Sequence, residues 1–407
     1  MPLPNISFII NRSGLGLVSV LEDGVMGIVL SGVAVIGGLQ LNKAYSINKL
    51  SEAEALGIVP TVEDIDEDEN PITVTGPNAR AYRQIKMFYD EIGEGAKLWF
   101  IVMPEESADV VPVPLTLVDS IDYIKTMIDY AKGEIKHVGV CRVVGAPAGE
   151  LVDGLHEEVM PMIVAAQTLC DTYQAKVMPF SVTVDGIDFE DQDAIVSLKT
   201  LTKHRVSVLL AANAEKEASI GQFLARLASS SVQQKASRVR SGALSNLTAH
   251  LVGSDIDIDT EPEKLGTLHD KGYIVYRAIV GKAGYFYSGD PTATSNTDDL
   301  NIIPRNRIID KVIVLSYNTY IEELDEDIEV DDSGKIPAPV CADLQRTIEK
   351  QVKANTVGEI SNFTAYVNPN QDILSGLPFD IVLSVTPRGY LNPIRITIGF
   401  INPYLNS

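Results

Sequence analysis

Carboxylates are the residues of this sequence most able to do chemistry. Asp64, Asp66 and Asp68 alternate, as do Asp255, Asp257 and Asp259, the spacing with which calcium loops begin. Neither set continues to the glycine and closing glutamate that a roughly 12-residue calcium loop requires, so acidic turns are the expected reading. His156, Glu157 and Glu158 open a zinc-protease-like string, but Val159 and Met160 follow and the second histidine is missing. Gly14 and Gly16 lack the third glycine of a dinucleotide loop, and the chain holds no GxxxxGK[ST] phosphate loop. No histidine lies in a nucleophile-elbow context. One constellation survives: Glu105, Asp185, Asp188 and Glu215 fall at the carboxyl ends of predicted strands, where α/β enzymes place their sites, and could gather around a magnesium ion. A metal-dependent α/β enzyme is therefore the alternative against which any other function is weighed.

The elements that would position those acids alternate in type. Between about residues 97 and 230, short apolar runs (KLWFIVM, HVGVCRVVG, KVMPFSVTV, RVSVLLAA) alternate with amphipathic segments. Helices are expected over the segment bearing Ile121, Ile124, Ile128 and Ala131, and through PMIVAAQTLCDTY, DAIVSLKTL and EASIGQFLARLASSS. An earlier helix is expected at ARAYRQIKMFYDEI. This β-α-β series predicts a mostly parallel sheet covered by helices. The uncharged stretch GVMGIVLSGVAVIGGLQLN holds five glycines and no basic flank, so strand, turn and strand explain it better than a membrane span. After Gly272 come the strand-like runs YIVYRAIVG, GYFYSG and DKVIVLSYNTYI, then a helix through VCADLQRTIEKQVKA, then further strands. The fold class is α/β, with an α+β C-terminal domain. The boundaries are an N-terminal strand arm at 1–22, an α/β domain at 23–270, the α+β domain at 271–390 and a C-terminal strand arm at 391–407. Apolar Ile6, Phe8 and Ile10 alternate at one end, and Ile394, Ile396, Ile398 and Phe400 at the other. Terminal strands need a sheet edge to pair with, in the same molecule or on a neighbour.

Composition narrows the partners. Hydrophobic residues make up 45% of the 407, enough to bury a core, and the length suits two domains. Against 33 basic residues stand 55 acidic ones, a net charge of −22, which repels nucleic acid. Cys141, Cys170 and Cys341 have no CxxC spacing and read as buried thiols in a reducing compartment. No export signal or membrane insertion is expected, and no cofactor.

The segment GYFYSGDPTAT at 284–294, running through a polar loop into NIIPRNRIIDKVIVL at 301–315, resembles the C-terminal domain of contractile phage tail sheath proteins. The opening LEDGVMGIVLSG and HRVSVLLAANAEKEASIGQFLARLASSS resemble compact members of the same family. This resemblance implies a structural protein, not an enzyme, whose subunits stack as sixfold rings around an inner tube. Their terminal arms add strands to neighbouring subunits, and contraction drives the tube through a target envelope. It further implies partners in the sheath polymer itself, the inner tube protein, and baseplate and terminator or cap proteins. The particle would assemble in the cytoplasm of the producing bacterium, as a phage tail or a phage-tail-like particle. Under that reading the arm residues named above carry strand exchange, and Arg305 and Arg307 pair with carboxylates of this subunit or the next. Arg346, Lys350 and Lys353 mark a basic stripe on a tube-facing helix. The plainer reading of all five basic residues is solvent exposure.

Overall fold

A computed structural model describes residues 22–65, 71–104, 115–141, 150–187, 189–190, 192–254, 256–324, 327–332, 334–372, 374 and 379–400. The chain divides into two compact units, one running to Glu326 and one from Asp327.

The first unit is built on a six-stranded sheet of β1 (Met26–Gly32), β2 (Ala44–Ile47), β3 (Leu98–Pro104), β4 (His137–Val140), β5 (Ser181–Asp185) and β6 (Val206–Leu209). Their order across the sheet is β6-β5-β4-β1-β3-β2, all parallel except β2, which runs antiparallel at one edge. Strands covered on both faces are written as continuous apolar runs, and β1 and β3 obey this: every residue of both is buried except Pro104, which is partly exposed. Four helices provide the cover: α1 (Ala79–Ile92), α2 (Ser120–Ala131), α3 (Val159–Ala175) and α4 (Ile220–Ala228). Two glycines show which face each helix takes. A Cβ on Gly27 of β1 would meet Met127 of α2, whereas one on Gly139 of β4 would meet Ile220 and Leu224 of α4. Gly139 pairs with Ile28, whose side chain points opposite to that of position 27, so α2 and α4 lie on opposite faces.

Helices α1 and α4 cross at a glycine. A Cβ at Gly221 would stand 1.9 Å from the Gln84 carbonyl oxygen, so only glycine allows this approach. The Gln84 side chain fastens the crossing, accepting the Gly221 N–H at 3.0 Å and donating to the Ala218 carbonyl at 2.8 Å.

Two expected elements come out differently. The run DKVIVLSYNTYI is helix: it lies within α5 (Ile303–Tyr320) and the short turn that follows. Its β-branched residues imitate a strand, but Ile303, Asn306, Arg307 and Asp310 are buried at helical spacing, and Pro304 sits in the first turn, where its missing N–H costs nothing. The segment DAIVSLKTL forms only a single tight turn, Leu198–Thr200.

The expected boundary near residue 271 also differs from the division by contacts, because the segment that follows it packs into the first unit. Tyr276 of β7 (Tyr276–Ala278) stacks on Tyr287 of β8 (Tyr285–Tyr287) at 5.4 Å, and Phe223 of α4 meets the Tyr287 ring edge-on at 5.1 Å. Helix α5 is tied to the sheet by a buried ion pair: the Arg205 guanidinium donates to both oxygens of Asp310, at 2.7 and 3.0 Å.

In the second unit, α6 (Ala338–Asn355) lies on a hairpin of β9 (Ile360–Val367) and β10 (Ile381–Pro387). Cys341, Ile348 and Val352 form the buried stripe of α6, facing Phe363, Ala365 and Val367 of β9, which alternate inward.

Candidate assembly surfaces

The sheet's carboxyl end is filled by arginine. Arg80 of α1 places its guanidinium 3.8 Å from Asp185 and 3.9 Å from Glu217, and Arg83 pairs with Glu217 at 2.5 Å. Asn78, just before α1, both accepts from the Val33 N–H and donates to its carbonyl, closing the loop that leaves β1. Of the four acids proposed to share a metal, Asp185 is thus engaged by arginine and Glu215 is exposed, while Glu105 and Asp188 lie outside the described residues. Among the described residues no group of three His, Cys, Asp or Glu side chains could hold a metal ion.

Arg305 and Arg307 point inward. Arg307 is buried and donates to the backbone carbonyls of Leu227, Asp23 and Ser230, stitching α5 to the end of α4 and to the chain before β1. Arg305 donates to the Asp299 carbonyl and to the Asn301 side chain, so it shapes the polar loop that precedes its own helix. That loop folds back on itself: Thr292 donates to the Leu300 carbonyl, and Asp298 receives both the Thr294 hydroxyl and the Leu300 N–H. Asp290, in the Gly-Asp-Pro turn that follows β8, is buried. One carboxylate oxygen accepts the Ala236 N–H at 3.0 Å, and the other has no hydrogen-bond partner among the described residues. Burial pushes its pKa up to about 6, with Lys235 and Arg307 pulling the other way. Sequence reasoning missed Asp290; a carboxylate between glycine and proline reads as a turn residue, and nothing local signals its burial.

On α6, Arg346, Lys350 and Lys353 lie exposed on the side away from the buried stripe. Arg346 pairs with Asp343 at 3.5 Å and Lys353 with Glu349 at 2.8 Å, so part of the stripe's charge is balanced within the helix. The hairpin beneath is uncharged along both strands, ISNFTAYV and IVLSVTP, and neither strand has a second strand partner among the described residues. Beyond β10, residues 388–400 form no strand within this chain, and Ile394, Ile396, Ile398 and Phe400 are 70% to 110% exposed. The other predicted arm, with Ile6, Phe8 and Ile10, lies outside the described residues.

Residues 3–290 match the N-terminal domain of the DUF2586 family, and residues 299–405 match its C-terminal domain. The chain belongs to the DUF2586 family. Among curated proteins none matches this DUF2586 chain. Solved structures do. The contracted helical sheath of the anti-feeding prophage matches with a TM-score of 0.58 at 14% identity, covering 99% of both chains. The contracted PVC sheath complex, from an extracellular contractile injection system, matches with a TM-score of 0.60 at 10% identity, covering 100% of this chain and 99% of that one. A chain of the anti-feeding prophage baseplate matches with a TM-score of 0.60 at 13% identity, over 99% and 100%. This DUF2586 member therefore has the fold of contractile injection-system sheath structures from end to end.

Proposed function

We propose that this chain is the structural subunit of a contractile sheath, polymerising as stacked sixfold rings around an inner tube and contracting to drive that tube through a target envelope. One observation carries the reading: the fold likeness to contracted sheaths spans both chains almost completely. The C-terminal tail supports it, because four large apolar residues at alternate positions are exposed, with nothing among the described residues to cover them. A tail of this kind becomes stable by adding as a strand to a sheet on a neighbour, where main-chain hydrogen bonds supply affinity and alternate side chains fix the register. The uncharged hairpin of the second unit is a suitable receiver, since natural edges meant to stay unpaired carry charges or bulges.

In the same reading Arg346, Lys350 and Lys353 face the inner tube, and baseplate and terminator proteins bound the polymer. The subunit is made in the cytoplasm of the producing bacterium and works without a cofactor or catalysis. Negative-stain electron microscopy of the purified chain across concentration tests the proposal: hollow striated cylinders or stacked rings are expected. Discrete small oligomers whose stability follows added magnesium would replace it with the enzyme alternative.

A further inference from the structure

One surface of the first unit inverts the charge of the molecule. No Asp or Glu occurs between Ala218 and Ser254 or between Lys271 and Gly289, in a chain whose acidic residues outnumber its basic ones 55 to 33. The structure brings these two stretches together: the Leu244 N–H donates to the Tyr285 carbonyl at 2.9 Å, and a Cβ on Gly284 would touch that of Ala243 at 2.7 Å. Their outer loops carry Leu247 and Val280, 94% and 104% exposed, and Val239 at 36%. Around them stand Arg238, Arg240 and Lys282, all exposed and in no ion pair among the described residues. Acids border this surface at Glu91, Asp259 and Asp257, the last exposed and acting on Tyr285 from the margin. Glu91 is buried, with Arg226 at 3.3 Å and the Ser245 N–H at 2.7 Å, and Asp259, at the margin, accepts the Tyr285 hydroxyl at 3.0 Å. An apolar centre with a charged rim is the anatomy of a protein interface.

We infer that this surface docks on the acidic stretch of a second copy of the chain, through the row Asp327, Glu329 and Asp332. In that row carboxylates at 327 and 329 are exposed while the intervening Ile328 packs toward its own unit's core, so the charges are presented outward from a backed, extended segment. Arg238-Val239-Arg240 has the complementary alternation of cation, apolar residue and cation. Charge complementarity of this kind mainly sets register and association rate, which a repeating assembly needs. The inference rests on the sheath reading insofar as it requires copies to meet.

The test uses the full-length chain and two charge-reversed variants: R238E/R240E/K282E, and D327K/E329K/D332K. Sedimentation velocity is measured for each alone and for an equimolar mixture, with circular dichroism as a control for folding. Each variant alone should associate at least about tenfold more weakly than wild type, because like charges then meet across the contact. The mixture should recover wild-type association, since both of its heterotypic contacts are attractive. If the first variant associates as well as wild type, or if the mixture fails to recover, the docking inference is wrong while the sheath reading stands. A folded wild type that remains monomeric at every concentration overturns both.

Discussion

Replacing Asp290 with asparagine should stabilise the first unit at neutral pH, and the gain should disappear in acid. An ordinary aspartate titrates at ~3.9. In the fold its pKa rises to about 6, because the side chain is buried and one oxygen has no donor. The folded state therefore holds the proton more tightly than the unfolded chain. The stability this provides is complete below ~3.9 and is lost as pH rises through about 6. A shift of roughly two units at ~1.4 kcal/mol each means that the ionised carboxylate costs ~3 kcal/mol at about pH 7.5. Asparagine keeps an oxygen for the Ala236 N–H and carries no charge at any pH, although its unpaired amide adds a constant penalty of ~1–3 kcal/mol. The informative quantity is thus the change with pH. The stability of Asp290→Asn relative to wild type should fall by ~1.4 kcal/mol between about pH 7.5 and about pH 5, and by ~3 kcal/mol once pH drops below ~3.9. Trp99, the single tryptophan, lies in β3 of the same unit, so its fluorescence during urea unfolding reports on the right body. A difference between the two proteins that does not vary with pH would refute the reasoning.

His137 should act in the opposite direction. Buried on β4 with its Nε2 2.7 Å from the Thr183 hydroxyl, it has a pKa depressed to about 3 by burial and by Arg307. The stability this gives is present above ~6.5 and lost as pH falls, amounting to ~2 kcal/mol by about pH 5; the same urea titration on His137→Gln should show that loss reduced. Asp310→Ala leaves the Arg205 guanidinium buried without its carboxylate and should cost ~3–5 kcal/mol, whereas Arg205→Met combined with Asp310→Leu should cost much less; equal costs in a double-mutant cycle would deny the pair its role. Deleting residues 392–407 should change stability by less than ~1 kcal/mol, since Ile394, Ile396, Ile398 and Phe400 are 70% to 110% exposed, yet abolish long sleeves in electron micrographs. Normal sleeves from that truncation would end the case for strand exchange by this arm.

What the sequence made legible was whatever repeats with a local period. The parallel sheet announces itself because doubly covered strands are apolar throughout, and α1 falls on the residues expected of it, Ala79–Ile92. Helix α5 defeated the same logic. Its inward positions include Asn306, Arg307 and Asp310, so a count of apolar residues misses its buried face, and each has a partner some hundred residues or more away. The two compact units divide elsewhere than the composition does, for a related reason: composition changes near residue 271, but the aromatic pair Tyr276 and Tyr287 packs with Phe223 and Gln222. The exposed apolar tail was legible, since alternating Ile and Phe at a terminus is visible in a string of letters. The acid-free surface was not, because it forms only when two separate stretches meet.

The distribution of stabilising contacts bears on how such a subunit could transmit force. An α/β body normally leaves a crevice open where its strands end, and there Arg80, Arg83 and Asn78 bring the loops together. Asp185 and Asn78 are the buried members of these ties, and removing the partner of either leaves an unsatisfied group behind. They favour a body that keeps its shape while its surroundings change. The described tail is the reverse case: Ile394, Ile396, Ile398 and Phe400 are exposed, and no other described residue covers these large apolar side chains. A lattice that must shift between two arrangements without dissolving gains from this division. In the proposed sheath, rigid bodies would preserve the register of each subunit, extended arms would keep neighbours joined, and charged surfaces, whose attraction decays over a Debye length of ~8 Å at physiological ionic strength, would part and re-form as the bodies move.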